Sequence, residues 1–179
     1  MNVIKFVKTG LFLALLSFCN PSFAFDNFQD RINIFLEKCF KNKKIEHNFQ
    51  SDGLNFSATI DNAEGLIYWE KIKIKDDYNL YLYFFEFENN DYLNLCYRNL
   101  LNCFPIDCTA IVENINIDGY KISPAIFIIK EKYIVIAKIG CYYPKIKWEH
   151  NKKQLFDYFY SGKDIVIQTG CGGPLVWGK

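Results

Sequence analysis

The sequence predicts an α+β fold: an antiparallel sheet of five to seven strands, with an amino-terminal helix and one or two further helices packed on one face, stabilised by disulfides. Three observations carry this. Apolar residues recur at steps of three and four near residue 30 and again near residue 155, whereas between them they recur at steps of two, the spacings of a helix face and of a half-buried strand. The order of these segments lacks the regular strand-helix alternation of a parallel sheet. Six cysteines remain once a secretory leader is removed, an even number in a chain expected to leave the cytoplasm.

The leader is the first element. Lys5 and Lys8 precede an apolar run from Gly10 to Phe18, which falls short of the roughly 20 residues that span a bilayer. Pro21 breaks the run and Ser22-Phe23-Ala24 places small residues where a signal peptidase reads them, so cleavage is expected after Ala24. Cys19 would be the modified residue of a lipoprotein signal, but the bulky Phe18 stands where such signals carry a small residue. Residues 1–24 are thus expected to be a signal peptide, and residues 25–179 a single α+β domain in the periplasm or secreted, with no membrane span in the mature chain.

From Asp26, a candidate N-cap, Phe28, Ile32, Phe35, Leu36, Cys39 and Phe40 line one face of a helix, and Lys41, Lys43 and Lys44 suit its carboxyl end. Leu54, Phe56, Ala58 and Ile60 alternate with polar residues, as do Tyr68, Ile72 and Ile74, with residues 61–65 as the turn between the two strands. Residues 79–88 form a third strand so rich in Leu, Tyr and Phe that both its faces must be covered. Residues 91–102 fit a helix better than a strand, through Leu93, Cys96, Leu100 and Cys103. Ile111 to Ile117 alternate up to Asp118-Gly119. Ala125 to Ile129 and Tyr133 to Ile139 form a hairpin about residues 130–132, Lys152 to Tyr160 a short helix, and residues 164–168 a last strand before a glycine-rich tail.

Charge and cysteine usage exclude several functions. Of 21 basic side chains Lys5 and Lys8 leave with the leader, so 19 face 20 acidic ones, a balance with no electrostatic footprint for nucleic acid. Cys39, Cys96, Cys103, Cys108, Cys141 and Cys171 are read as three disulfides of open connectivity. No Cys-x2-Cys occurs, and His47 and His150 have no partner at ligand spacing, so no metal and no cofactor is expected. His47 and His150 lie in polar stretches that read as solvated connectors, and Asp76-Asp77 reads as a turn.

Three features carry the functional readings. Cys171, between Gly170 and Gly172 at the end of a strand, is either a nucleophile with His150 as base or a disulfide partner, with Cys141 as a candidate, that ties down the tail. The first outline is similar to the cysteine transpeptidases of the bacterial envelope, but the arginine that follows their cysteine is missing here. The segment Cys103-Phe104-Pro105-Ile106-Asp107-Cys108 resembles the inhibitory loop of the periplasmic lysozyme inhibitors of the Ivy type, with Pro and Asp at the same positions and Ile106 in place of a histidine. That resemblance implies a disulfide-closed loop in which Phe104, Pro105, Ile106 and Asp107 contact a partner. Tyr142, Tyr143 and Trp148, with Tyr158, Tyr160 and Trp177, are candidates for an aromatic contact surface. The expectation is a non-enzymatic binding protein that blocks a protein partner, an inhibitor or immunity protein against a cell-wall hydrolase or toxin. The alternatives are an envelope enzyme using Cys171 and His150, and a glycan-binding surface accessory.

Overall fold

A computed structural model of the chain describes residues 27–48, 63–103, 123–171 and 175–178. The expected signal peptide, the strand at 54–60, the 104–108 part of the cysteine loop and the strand at 111–117 lie outside these. Among the described residues three helices, α1 (Phe28–Phe40), α2 (Asn90–Cys103) and α3 (Lys145–Phe159), accompany seven strands. The strands are β1 (Lys44–His47), β2 (Leu66–Lys75), β3 (Leu80–Phe87), β4 (Ala125–Lys130), β5 (Tyr133–Ile139), β6 (Ile165–Thr169) and β7 (Leu175–Gly178). They form one sheet in the order β1-β2-β3-β5-β4-β6-β7, with every neighbouring pair antiparallel. The α+β class and the antiparallel sheet are as the sequence predicts.

The central strands β3, β5 and β4 are apolar on both faces, and each face has its own core. On the first, Ile72, Leu82, Phe84, Val135, Ala137 and Ile128 meet α1 and α3. On the second, Tyr83, Phe85, Phe127, Ile134 and Ile136 meet Leu93 and Cys96 of α2. The described helices therefore divide two to one between the faces and do not all pack on one face as expected, because alternate residues of β3 are equally apolar and both sets need cover.

Phe84 is fully buried and joins the first layer together. Its ring lies edge-on to Phe28 and Phe35 of α1, at 6.3 and 6.5 Å, and tilted against Phe159 of α3 at 5.5 Å. Such pairings add to the burial of the rings themselves.

Local chemistry sets the element ends. Asn27, one residue after the expected Asp26, caps α1 by accepting the Gln29 N–H at 2.9 Å. Asn89 does the same for α2, accepting from the Asp91 and Tyr92 N–H groups at 3.0 and 3.1 Å. Gly65, with φ +71°, forms the turn into β2, and a Cβ there would overlap the Tyr92 ring of α2. Three segments depart from expectation. The polar stretch after α1 is edge strand β1, paired with β2 from Lys44↔Lys75 to His47↔Ile72. The glycine-rich tail supplies edge strand β7. Helix α3 starts at Lys145, seven residues before the expected Lys152, because Trp148, Asn151, Leu155 and Phe159 continue one buried stripe back through polar neighbours.

Phe84→Ala should destabilise the protein by about 3 to 5 kcal/mol in urea unfolding, since the cavity would open between α1, α3 and the sheet.

Candidate functional site

The first layer leaves one end of the sheet partly open. There the carboxyl end of α1, the β2–β3 turn and the first half of α3 enclose a cleft of about 380 Å³. Its apolar wall is Phe40, Ile74 and Leu80, all buried core residues. Cys39 and Lys43 come from α1 and the residues just after it, Asp76 and Tyr78 from the turn, and Ile146, Lys147, His150 and Asn151 from successive turns of α3.

An ion-pair network crosses the mouth. The Lys43 ammonium donates to the Asp76 carboxylate at 2.6 Å, and Lys147 reaches Asp76 and Asp77 at 3.5 and 3.3 Å. The Lys43 hydrogen bond, the Asp77 backbone N–H and the Lys147 charge hold the Asp76 carboxyl below the usual aspartate range. Asp76-Asp77 is thus a turn, as expected, with its charge committed to lysines. Behind the network Asn151, only 7% exposed, donates from Nδ2 to the Tyr143 hydroxyl at 2.8 Å. Burial pushes the Tyr143 phenol up, and its ring lies 5.9 Å from that of Tyr78.

Cys141 and Cys171 form a disulfide with Cα atoms 5.4 Å apart, joining the start of the α3 approach to the end of β6. Cys171 is therefore the structural partner of Cys141, and its sulfur is not available as the nucleophile that His150 would activate. His150 instead lines the cleft, where Cys39 carries a thiol. Burial and the nearby Asp157 raise the Cys39 pKa, favouring the neutral thiol over the reactive thiolate. The expected pairing of all six cysteines is corrected at Cys39. It packs on the first layer, while Cys96 lies in the core of the opposite face, and Cys141 and Cys171 are bonded to each other.

The proposed aromatic surface is also redrawn. Trp148 is 8% exposed and belongs to the first core, and Tyr143 is half-buried in the cleft wall. Tyr142 alone of the three projects outward, at 92% exposure. Its companions are Ile146, 87% exposed, and Tyr78, both on the cleft rim. Ile146 sits off the buried stripe of α3, a position legible from the sequence only once the helix is known to begin at Lys145. His47, expected to be solvated, pairs with Glu70 Oε1 at 2.7 Å, and the Tyr68 hydroxyl donates to the other carboxylate oxygen at 2.6 Å. Among the described residues no group of three or more His, Cys, Asp or Glu side chains is placed to hold a metal ion. No described helix is long and apolar enough to cross a membrane.

Two expectations follow. The disulfide closes a sequence separation of 30, so its loss in the Cys141→Ser, Cys171→Ser variant should cost roughly 3 to 4 kcal/mol in urea unfolding. Alkylation of the native, non-reduced protein should leave both positions unmodified. The carboxyls of Asp76 and of Glu46, which Lys75 lowers by a hydrogen bond, have folded pKa values below their unfolded ones. Their contribution is complete above the usual carboxylate range and is lost as pH falls through the folded values. Melting temperature should accordingly drop between pH 6 and pH 3, and Lys43→Met should make that drop smaller.

No protein-family model, curated protein or solved structure matches this chain.

Proposed function

We propose that the chain is an exported, non-enzymatic binding protein that blocks a protein partner, an envelope hydrolase or a toxin, by inserting the Tyr142–Ile146 rim into a concave site on it. One observation carries this: Tyr142 and Ile146 are almost wholly exposed on a segment held at both sides. The disulfide fixes Cys141 immediately before Tyr142, and the Asn151 hydrogen bond fixes Tyr143 immediately after it. A large amphipathic ring on a segment already ordered loses little conformational freedom on binding, and such residues dominate interface energetics. A disulfide is compatible with an oxidising compartment, periplasmic or extracellular. The loop of Phe104, Pro105, Ile106 and Asp107 remains a second candidate contact on the strength of its sequence alone.

The reading is tested by hydrolysis of purified cell wall by a panel of wall hydrolases, with and without the protein. Inhibition of one enzyme, weakened about thirtyfold or more by Tyr142→Ala with Ile146→Ser at unchanged melting temperature, is the expected result. Sedimentation of the protein with cell wall in the absence of any enzyme, lost in the same variant, would overturn it in favour of glycan binding.

A further inference from the structure

We infer that the cleft between α1, the β2–β3 turn and α3 is a binding site for a small amphiphile with one carboxylate and an apolar chain. The inference concerns the interior of the cleft and does not depend on the rim's partner. At about 380 Å³ the cleft is of the size that holds small organic ligands.

Its two ends differ in chemistry. Phe40, Ile74 and Leu80 form a wall without charge, suited to an alkyl or aryl body. At the mouth two ammonium groups, Lys43 and Lys147, share one lining carboxylate, Asp76, while Asp77 points outward with its side chain 77% exposed and is not part of the lining. The network as a whole pairs two ammonium groups with two carboxylates, but only Asp76 of the two carboxylates lies in the lining, and the Asp77 charge sits largely in solvent, where it is screened.

The ammonium groups also have hydrogen bonds to spare. Each has three N–H donors. Lys43 directs one at Asp76 at 2.6 Å, and the Lys147 contacts, at 3.3 and 3.5 Å, are longer than a charge-assisted bond prefers. A second carboxylate entering from solvent would find both lysines within the network already assembled. Its chain would then lie against the apolar side chains that line the cleft. Asp76 is in this arrangement the internal competitor of the ligand, so removing its charge and removing a lysine should act in opposite directions.

The probes are octanoate and, as its uncharged equivalent, n-octanol, titrated below micelle-forming concentration into the isotopically labelled full mature chain. Binding is read from the side-chain amide signal of Asn151 and the backbone signals of Lys43 and Lys147. Octanoate should bind more tightly than octanol. Lys147→Gln should weaken octanoate roughly fivefold and leave octanol unchanged, the change expected from one partly exposed charge pair. Asp76→Asn should tighten octanoate. Equal affinity for the two probes, weakening of octanoate by Asp76→Asn, or no shift at the three reporters would each overturn the inference. The opposed signs separate a ligand-binding role from a merely structural one, since loss of either side of the ion pair would perturb the fold in the same sense.

Discussion

Strand β3 is buried on both faces, and the arrangement of the rest follows from that constraint. Leu82 and Phe84 face one way, Tyr83 and Phe85 the other, and all four are essentially inaccessible to water. A strand in this condition must be internal to the sheet and needs a layer on each side. Strands β2 and β5 supply its neighbours through antiparallel ladders, from Tyr68↔Glu86 to Ile74↔Leu80 on one side and from Leu80↔Ile139 to Glu86↔Tyr133 on the other. Helices α1 and α3 cover the Phe84 face and α2 lies against the Phe85 face.

The cleft is a by-product of how that first layer is filled. Helices α1 and α3 close over Phe84 through Phe28, Phe35 and Phe159. Toward the carboxyl end of α1 the side chains that face each other become polar or smaller, Cys39 and Lys43 on one side and Lys147, His150 and Asn151 on the other. Ion pairs bridge the gap there, where apolar packing ends. The Cys141–Cys171 bond then ties the approach to α3 to the end of β6, so the rim is fixed by a covalent link and the mouth by charges.

The fold was more legible in the sequence than the site. The two-faced apolar run of β3, the Ala125–Ile139 hairpin and the helical spacing of Leu93 and Cys96 are local patterns that tertiary structure had no reason to override. Strand β1 was hidden because three of its four residues are charged or polar, and β7 because its four residues are a short run just after the glycines at 170, 172 and 173; each is a strand because a neighbour offers a ladder. The cleft was hidden for a different reason. Lys43 meets Asp76 across 33 residues and Lys147 meets it across 71, and nothing in a one-dimensional pattern relates them. The disulfide partner of Cys171 lay between these cases, since the tail needed an anchor and Cys141 was the candidate named for it.

The two edge strands share a property with a bearing on how the protein behaves in crowded surroundings. Among the described residues the sheet ends in β1 and β7, each four residues long, whereas β2 and β3 have ten and eight. At these described edges an incoming strand would meet a ladder of four residues, and at β1 also Lys44, Glu46 and His47. Short, charged borders of this kind resist edge-to-edge association. The long apolar strand β3, which would otherwise offer a template for association, is kept in the interior of the sheet.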